Sequence, residues 1–404
     1  MLQLADLDLP TLPLETLEFS ADPLRYIAEA KQRHAWLANS TYGYVVHDYA
    51  AMKDILIQDD HLRVPLDSVV DIMEARGTPW GRFLDEQMLN LSGEAHKKLR
   101  GAIAHLFTPR QANANRELMR ANMKALLDDW APKGAFDFEE FASFYPISVM
   151  CAIIGAPQSV IPGIKSSLEV LGLALAMDKA HLPALQTAML HMDGFAQELI
   201  DQRRAQRAER TKQDLLDVLI DAREQGVMTD RELSDLLINL FVAGYDTSKN
   251  ILTLTMSMLL DRLDVYERCA TDFDYCKKTI DEALRFRSST SVLRQVTQDI
   301  VYRDVLLPKG ALIWFTIPMA GRDPDAFEMA NAFDPELKRS NRHLAFGRGA
   351  HICLGQFIAR AQIEEGFHLI AQRLKHPTLT APFGFRPFLG AGGLKGLPIA
   401  FDAP

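Results

Sequence analysis

Along most of the chain, apolar residues return every three or four positions, the period of an amphipathic helix. The pattern predicts helices over 94–106, 117–129, 185–207 and 355–374. The longest begins at Thr229-Asp230-Arg231-Glu232, a capping-box sequence, and runs without proline to about Leu263. At 1.5 Å per residue that is on the order of 50 Å, enough to cross a whole core. Two short runs alternate or cluster apolar and β-branched residues as strands do: 42–47 (YGYVVH) and 312–316 (LIWFT). Pro308-Lys309-Gly310 punctuates the second as a turn. The C-terminal stretch, rich in Pro and Gly, reads as loops and short strands. We expect one mainly α domain over 1–404, with a minor β portion near both ends.

Composition narrows the function classes. Hydrophobic residues make up 48% of the 404, and charged residues 24%, so a large core is affordable in an ordinary globular chain. A formal net charge of −9 argues against a general nucleic-acid binder. Cys151, Cys269, Cys276 and Cys353 form no C-x-x-C pair, which argues against a zinc ribbon or redox dithiol and fits a reducing cytoplasm. The acidic, proline-broken N-terminus lacks the basic and apolar regions of a signal peptide. No apolar run is long enough for a membrane span. The expectation is a cytoplasmic protein.

Three constellations carry candidate chemistry. The first is Phe346-Gly347-Arg348-Gly349-Ala350-His351-Ile352-Cys353-Leu354-Gly355. Its glycines permit a tight turn, and a helix follows directly. That placement predicts a thiol with lowered pKa, stabilised by the helix N-terminus. A lone buried cysteine in such a turn is usually structural; the ten-residue string is what raises it above that. The second is Ala243-Gly244-Tyr245-Asp246-Thr247, a weak point inside the longest helix. Asp and Thr there compete for backbone carbonyls and open the helix locally. Alone, this is an ordinary kink. The third is Glu282-Ala-Leu-Arg285, whose i, i+3 spacing is ordinary for a surface ion pair.

In this order, the three motifs together resemble cytochrome P-450, from about Trp36 to the C-terminus. The resemblance implies the cytochrome P-450 fold, with haem buried between the long central helix and the cysteine-loop helix. Carried over, Cys353 is the axial thiolate of haem b, a ligand that favours O–O cleavage. Phe346 packs beside the sulfur, and His351 bonds a propionate. Ala243 and Gly244 belong to the oxygen-binding segment, where Asp246 and Thr247 relay protons. Glu282 and Arg285 form a buried structural pair, closed by either Lys338 or Arg339. His96 and Arg100, in Gly93-Glu94-Ala95-His96-Lys97-Lys98-Leu99-Arg100, resemble propionate ligands, as does Arg294. Val292 stands where relatives often carry Asp, and Gly321 where they carry Asn.

The resemblance implies a monooxygenase that inserts one atom of O2 into a small hydrophobic substrate. Electrons come from a separate ferredoxin and ferredoxin reductase, docked near Arg348 and the Lys97-Lys98 pair, on a monomer. A peroxide-driven peroxygenase is the alternative enzyme, though such members usually lack the acid–alcohol pair; a haem-binding sensor is the non-enzymatic one. Asn239, Ala243 and Thr247 fall at successive i+4 positions on one helix face, bordered by Val242. They are one candidate substrate wall; Thr290 and Leu293, which precede Arg294, should approach the substrate from another. The stretches 66–89 and 161–192 and the C-terminal loops complete it.

Overall fold

Thr229 starts the central helix by exchanging bonds with Glu232. Its Oγ1 accepts from the Glu232 N–H at 3.1 Å, and its own N–H donates to Glu232 Oε2 at 2.7 Å. The helix Asp230–Leu259 then runs for 30 residues, about 45 Å. The computed structural model, which describes residues 2–207 and 213–402, ends it about a turn earlier than the apolar pattern suggests. Arg262 leaves helical geometry (φ −134°, ψ 58°) and precedes a new helix, Leu263–Thr271. Its guanidinium is held there by Asp264 at 3.2 Å and the Phe333 carbonyl at 3.0 Å. The apolar period therefore belongs to two helices, not one.

The central helix is buried on nearly every side, through Leu236, Leu237, Phe241, Tyr245, Leu252 and Met256, as a core-crossing helix must be. Phe138–Ile154 lies against it. Their closest approach explains Gly244: a methyl there would stand 2.9 Å from Met150 Cγ and Sδ. The other expected helices form as Gly93–Ala104, Arg116–Trp130, Leu182–Gln206 and Gln356–Arg373. Helix takes 57% and strand 12% of the chain, so the mainly α class stands.

Both expected strands enter one five-stranded sheet. Its order is Leu37–Ser40, Gly43–Val46, Leu312–Phe315, Val292–Val296, Leu62–Arg63. Gly43–Val46 runs parallel to Leu312–Phe315, and the remaining pairs are antiparallel. Gly43 (φ +109°) permits this closeness, since a methyl would lie 2.5 Å from the Leu312 carbonyl oxygen. Register sets Arg294 opposite Ile313. A second apolar cluster, with Leu37, Val46, Ile55, Ile313 and Phe315, fills the space at this sheet. Among the described residues no helix is long and apolar enough to cross a membrane.

Glu282 and Arg285 tie the end of their helix, Phe273–Phe286, to the chain that follows it. Arg285 Nε donates to Glu282 Oε2 at 2.7 Å and Nη2 to Oε1 at 2.8 Å. It also bonds the carbonyls of Gly321, Ala330 and Ala332. Gly321 is required by this approach, because a methyl would lie 2.0 Å from the Arg285 carbonyl oxygen. Arg339, not Lys338, completes the cluster: its Nη1 donates to Glu282 Oε2 at 3.0 Å. Lys338 is exposed. Breaking a buried ion pair from one side typically costs about 3–5 kcal/mol. Glu282 stays paired with Arg285 when Arg339 is removed, so Arg339→Ala should lower unfolding free energy by less, about 1.5–3 kcal/mol, and Lys338→Ala by under about 0.5 kcal/mol. Urea unfolding of the two variants is the check, and equal losses would contradict the assignment.

Candidate functional site

The cysteine loop is shaped by its own backbone. Gly347 and Gly349 both take positive φ, 69° and 75°. The Cys353 N–H donates to the Phe346 carbonyl at 2.9 Å, and the Ile352 N–H to the Gly349 carbonyl at 3.0 Å. Gly349 also faces the chain after Leu56: a methyl would stand 2.6 Å from the Leu56 carbonyl oxygen. The Ala350 N–H donates to Asp59 Oδ1 at 2.8 Å, pinning the loop there. Phe346 is half-buried against His343 and Arg360. The helix Gln356–Arg373 begins three residues past the cysteine.

The expected depression of the thiol pKa is corrected by the structure. Burial has the largest influence on the Cys353 thiol and pushes it up; the Gly355 N–H and the charge of Arg100 pull the other way but do not prevail. At the helix start the Gly355 N–H acts on the sulfur. A thiol in such surroundings needs a cationic partner to hold it as thiolate.

Next to that loop, four nitrogen-bearing side chains converge. Arg100 Nη2 donates to the Ile352 carbonyl at 2.6 Å, one residue from Cys353. The rings of His96 and His351 lie 4.2 Å apart. Burial, then the charges of Arg294, His96 and Arg100, push the His351 imidazole down to about 3. His351 Nδ1 is buried with no hydrogen-bond partner. Arg294 is 7% exposed, and burial pushes its guanidinium down to about 10. Arg100 and His96 are also pushed down by burial. No carboxylate among the described residues lies within ion-pair distance of any of the four; Asp59 acts on His96 and Arg294 only from farther off. Buried cations without counter-ions are costly. This donor set therefore fits a ligand that brings its own carboxylates, and a haem brings two.

On the central helix the acid–alcohol segment splits between two faces. Thr247 Oγ1 donates to the Ala243 carbonyl at 2.8 Å, as the residue types suggest, and the helix continues through it. Ala243 is exposed in mid-helix. The Cβ position of Gly244 faces Met150, so the close packing of the two helices leaves no room for a side chain there. Asp246 does not compete for backbone carbonyls. Its Oδ1 lies 2.8 Å from Lys249 Nζ and 3.3 Å from Arg386 Nη1. Asn239 is half-buried and has no protein hydrogen-bond partner among the described residues. Val242 is half-buried against the apolar core. Thr290 Oγ1 sits 3.3 Å from Ser289 Oγ, and Leu293 is 4% exposed on its strand. Of the docking lysines, Lys97 is ion-paired to Glu94 at 2.8 Å, which offsets its charge.

The cytochrome P450 family model matches residues 166–381. Luteothin monooxygenase of Streptomyces thioluteus is 30% identical over 98% of this chain and 97% of its own length. The chain belongs to the cytochrome P450 family. A biotin biosynthesis cytochrome P450 of Bacillus subtilis is 26% identical over 79% of this chain and 80% of its own. Among solved structures, P450BioI, crystallised with an acyl carrier protein bearing a fatty acid, superposes with a TM-score of 0.84 at 23% identity. It covers 95% of this chain and 100% of its own. CalO2 superposes at 0.86 and 20% identity, covering 97% and 99%. The fold is the cytochrome P450 fold, and the protein is a P450 monooxygenase, a haem-thiolate enzyme by family.

Three site residues escaped the sequence. Lys249 stands at i+3 from Asp246, a spacing that signals an ion pair on any helix. Arg386 contacts Asp246 directly and Glu139 reaches it through Lys249 and Arg386, but nothing in the sequence connects them to it.

Proposed function

We propose that Cys353 is the thiolate ligand of haem b and that His96, Arg100, Arg294 and His351 hold its propionates. One observation carries the reading: the Arg100 guanidinium bonds the carbonyl next to Cys353, joining the cysteine loop to a cluster of two arginines and two imidazoles that has no carboxylate partner among the described residues. Bound there, haem supplies the chemistry that activates O2 for insertion of one oxygen atom. The chain's own residues do the rest. Arg100 and Arg294 supply countercharge, His351 Nδ1 offers a hydrogen bond, and Arg100 also favours the thiolate form of Cys353.

Asp246 and Thr247 deliver the protons that O2 activation consumes. Thr247 Oγ1, bonded to the carbonyl of the exposed Ala243, holds a proton on that face of the helix; Asp246 replenishes it from the other face. In this reading Asn239, Ala243 and Thr247, bordered by Val242, line one wall of a mostly apolar pocket, and Thr290 and Leu293 approach from another. The substrate we infer is a small hydrophobic molecule bearing a polar group that Asn239 can bond. A steroid C26-monooxygenase of Rhodococcus jostii, 30% identical over 71% of this chain, supports a hydrophobic substrate class. Electrons arrive from a separate ferredoxin and ferredoxin reductase, docked on the Arg348 and Lys98 side, since Lys97 is already paired. One domain over 1–404, acting as a cytoplasmic monomer with four free cysteines, fits this scheme.

In Cys353→Ser, the ferrous protein with carbon monoxide should lose the red-shifted absorption band of thiolate ligation, with nearly all oxygenation. Retention of that band would overturn the ligand assignment. Removing one member of a proton relay typically costs about 10²- to 10⁴-fold. Asp246→Asn should therefore slow turnover severely with haem binding intact. Thr247→Ala should instead release more of the reductant's electrons as hydrogen peroxide. Reductant consumed and peroxide released are measured together; wild-type values in both variants would reduce the segment to a packing feature.

A further inference from the structure

Lys249 is fully buried, at 0% exposure, on the central helix. Lysines are almost never placed so without a partner. This one has two: Asp246 Oδ1 at 2.8 Å and Glu139 Oε1 at 3.1 Å. The ammonium meets hydrogen-bond geometry with neither, so the contacts are charge pairing rather than directed bonds. Arg386 closes the set, with Nη2 2.8 Å from Glu139 Oε1 and Nη1 3.3 Å from Asp246 Oδ1. Glu139 Oε2 is fixed by the Gly396 N–H at 2.9 Å. Two carboxylates and two cations thus form a formally neutral group inside the fold.

The group is graded in exposure. The side chains of Asp246 and Lys249 are 3% and 0% exposed, while those of Glu139 and Arg386 are each 16% exposed. Solvent therefore reaches the network at Glu139 and Arg386. Beside Arg386 lies a cavity of about 10 Å³, also lined by Ser288 and Ser289, roughly the room one water needs. Ser288 Oγ is buried there without a protein partner. At the other end, Asp246 Oδ2 has no partner and stands where a methyl on Gly172 would come within 2.7 Å.

We propose that Lys249 is a positioning residue for proton delivery, supplying the countercharge Asp246 needs each time it gives up a proton. Glu139 and Arg386 form the mouth through which solvent protons return to it. The cycle balances: the resting Asp246 carboxylate, paired with Lys249, takes one proton from hydronium that enters past Glu139 and Arg386, leaving water behind; it then passes that proton toward Thr247 and returns to the carboxylate that Lys249 neutralises. No electron moves within the network. The inference rests on the reading of Asp246 and Thr247 as the proton-delivering pair.

The test uses the holoenzyme with an excess of ferredoxin, ferredoxin reductase and NADH, and O2 as the only other reactant. NADH oxidation, peroxide release and the solvent deuterium isotope effect are measured for Lys249→Met, Lys249→Arg, Glu139→Gln and Asp246→Asn. The carbon monoxide spectrum verifies that each holds haem normally. Lys249→Met should slow NADH oxidation by about tenfold, less than the roughly 10²- to 10⁴-fold expected for a group that carries the proton itself, and alter the isotope effect. Glu139→Gln should shift both in the same direction, and Lys249→Arg should recover most of the loss. A purely stabilising ion pair would lower the melting temperature and leave the isotope effect at its wild-type value.

If Asp246→Asn is slow while Lys249→Met and Glu139→Gln match wild type, the positioning role is overturned and the acid–alcohol reading stands. If Asp246→Asn also matches wild type, both fall. Should Lys249→Met fail to take up haem, the charge-balanced double variant E139Q/K249M replaces it, with one charge of each sign removed. A wild-type rate and isotope effect in that double variant, or in Glu139→Gln, would equally overturn the proposal.

Discussion

Positive charge without a counter-ion is the constraint on which this structure turns. His96, Arg100, Arg294 and His351 come from a helix near the start of the fold, a sheet strand in its second half and the cysteine loop. Burial pushes all four toward their neutral forms. A folded chain rarely keeps such a group unless something anionic is meant to join it. The five-stranded sheet sets Arg294 in register, the Gly349 turn brings His351 to His96, and Arg100 reaches the carbonyl beside Cys353. The fold spends its geometry on bringing these nitrogens to the edge of one thiol.

The central helix solves the opposite problem. There the polar groups are paired among themselves: Asp246 and Glu139 against Lys249 and Arg386. Tyr245 extends the pattern by donating to Glu169 at 3.1 Å, linking the helix to Ile161–Leu171. One face of the helix thus carries an internal charge network while the face with Asn239, Ala243 and Thr247 stays sparsely polar. Adjacent residues point about 100° apart on a helix, which is how Asp246 and Thr247 serve different surroundings. Gly244, between them and the neighbouring helix, is set by contact with Met150.

Much of this was legible in the sequence because it is local. Helices with caps and a sustained 3.6 period, and strands flanked by turn residues, declare themselves over short windows. The cysteine loop, the Glu282–Arg285 pair and the His96–Arg100 face are likewise written in contiguous residues. What the sequence could not carry is distance in space. Whether Lys338 or Arg339 reached Glu282 depended on the path of the chain after Phe333. The end of the central helix was hidden because Leu263 continues the apolar period into the next helix. The sign of the Cys353 shift depended on how much protein surrounds the sulfur, which no local pattern encodes. Glu139 and Arg386 join the Asp246–Lys249 pair only through the packing of three remote segments.

The central claim is that the four nitrogens await the carboxylates of a haem. The direct measurement is the affinity of the apoprotein for haem against haem dimethyl ester, which keeps the macrocycle and iron but masks both propionate charges. Leaving buried charged groups unpaired costs several kcal/mol, so the ester should bind at least about a hundredfold more weakly. Arg294→Leu combined with Arg100→Leu should narrow that gap. Equal affinity of the wild-type apoprotein for haem and its dimethyl ester would contradict the account.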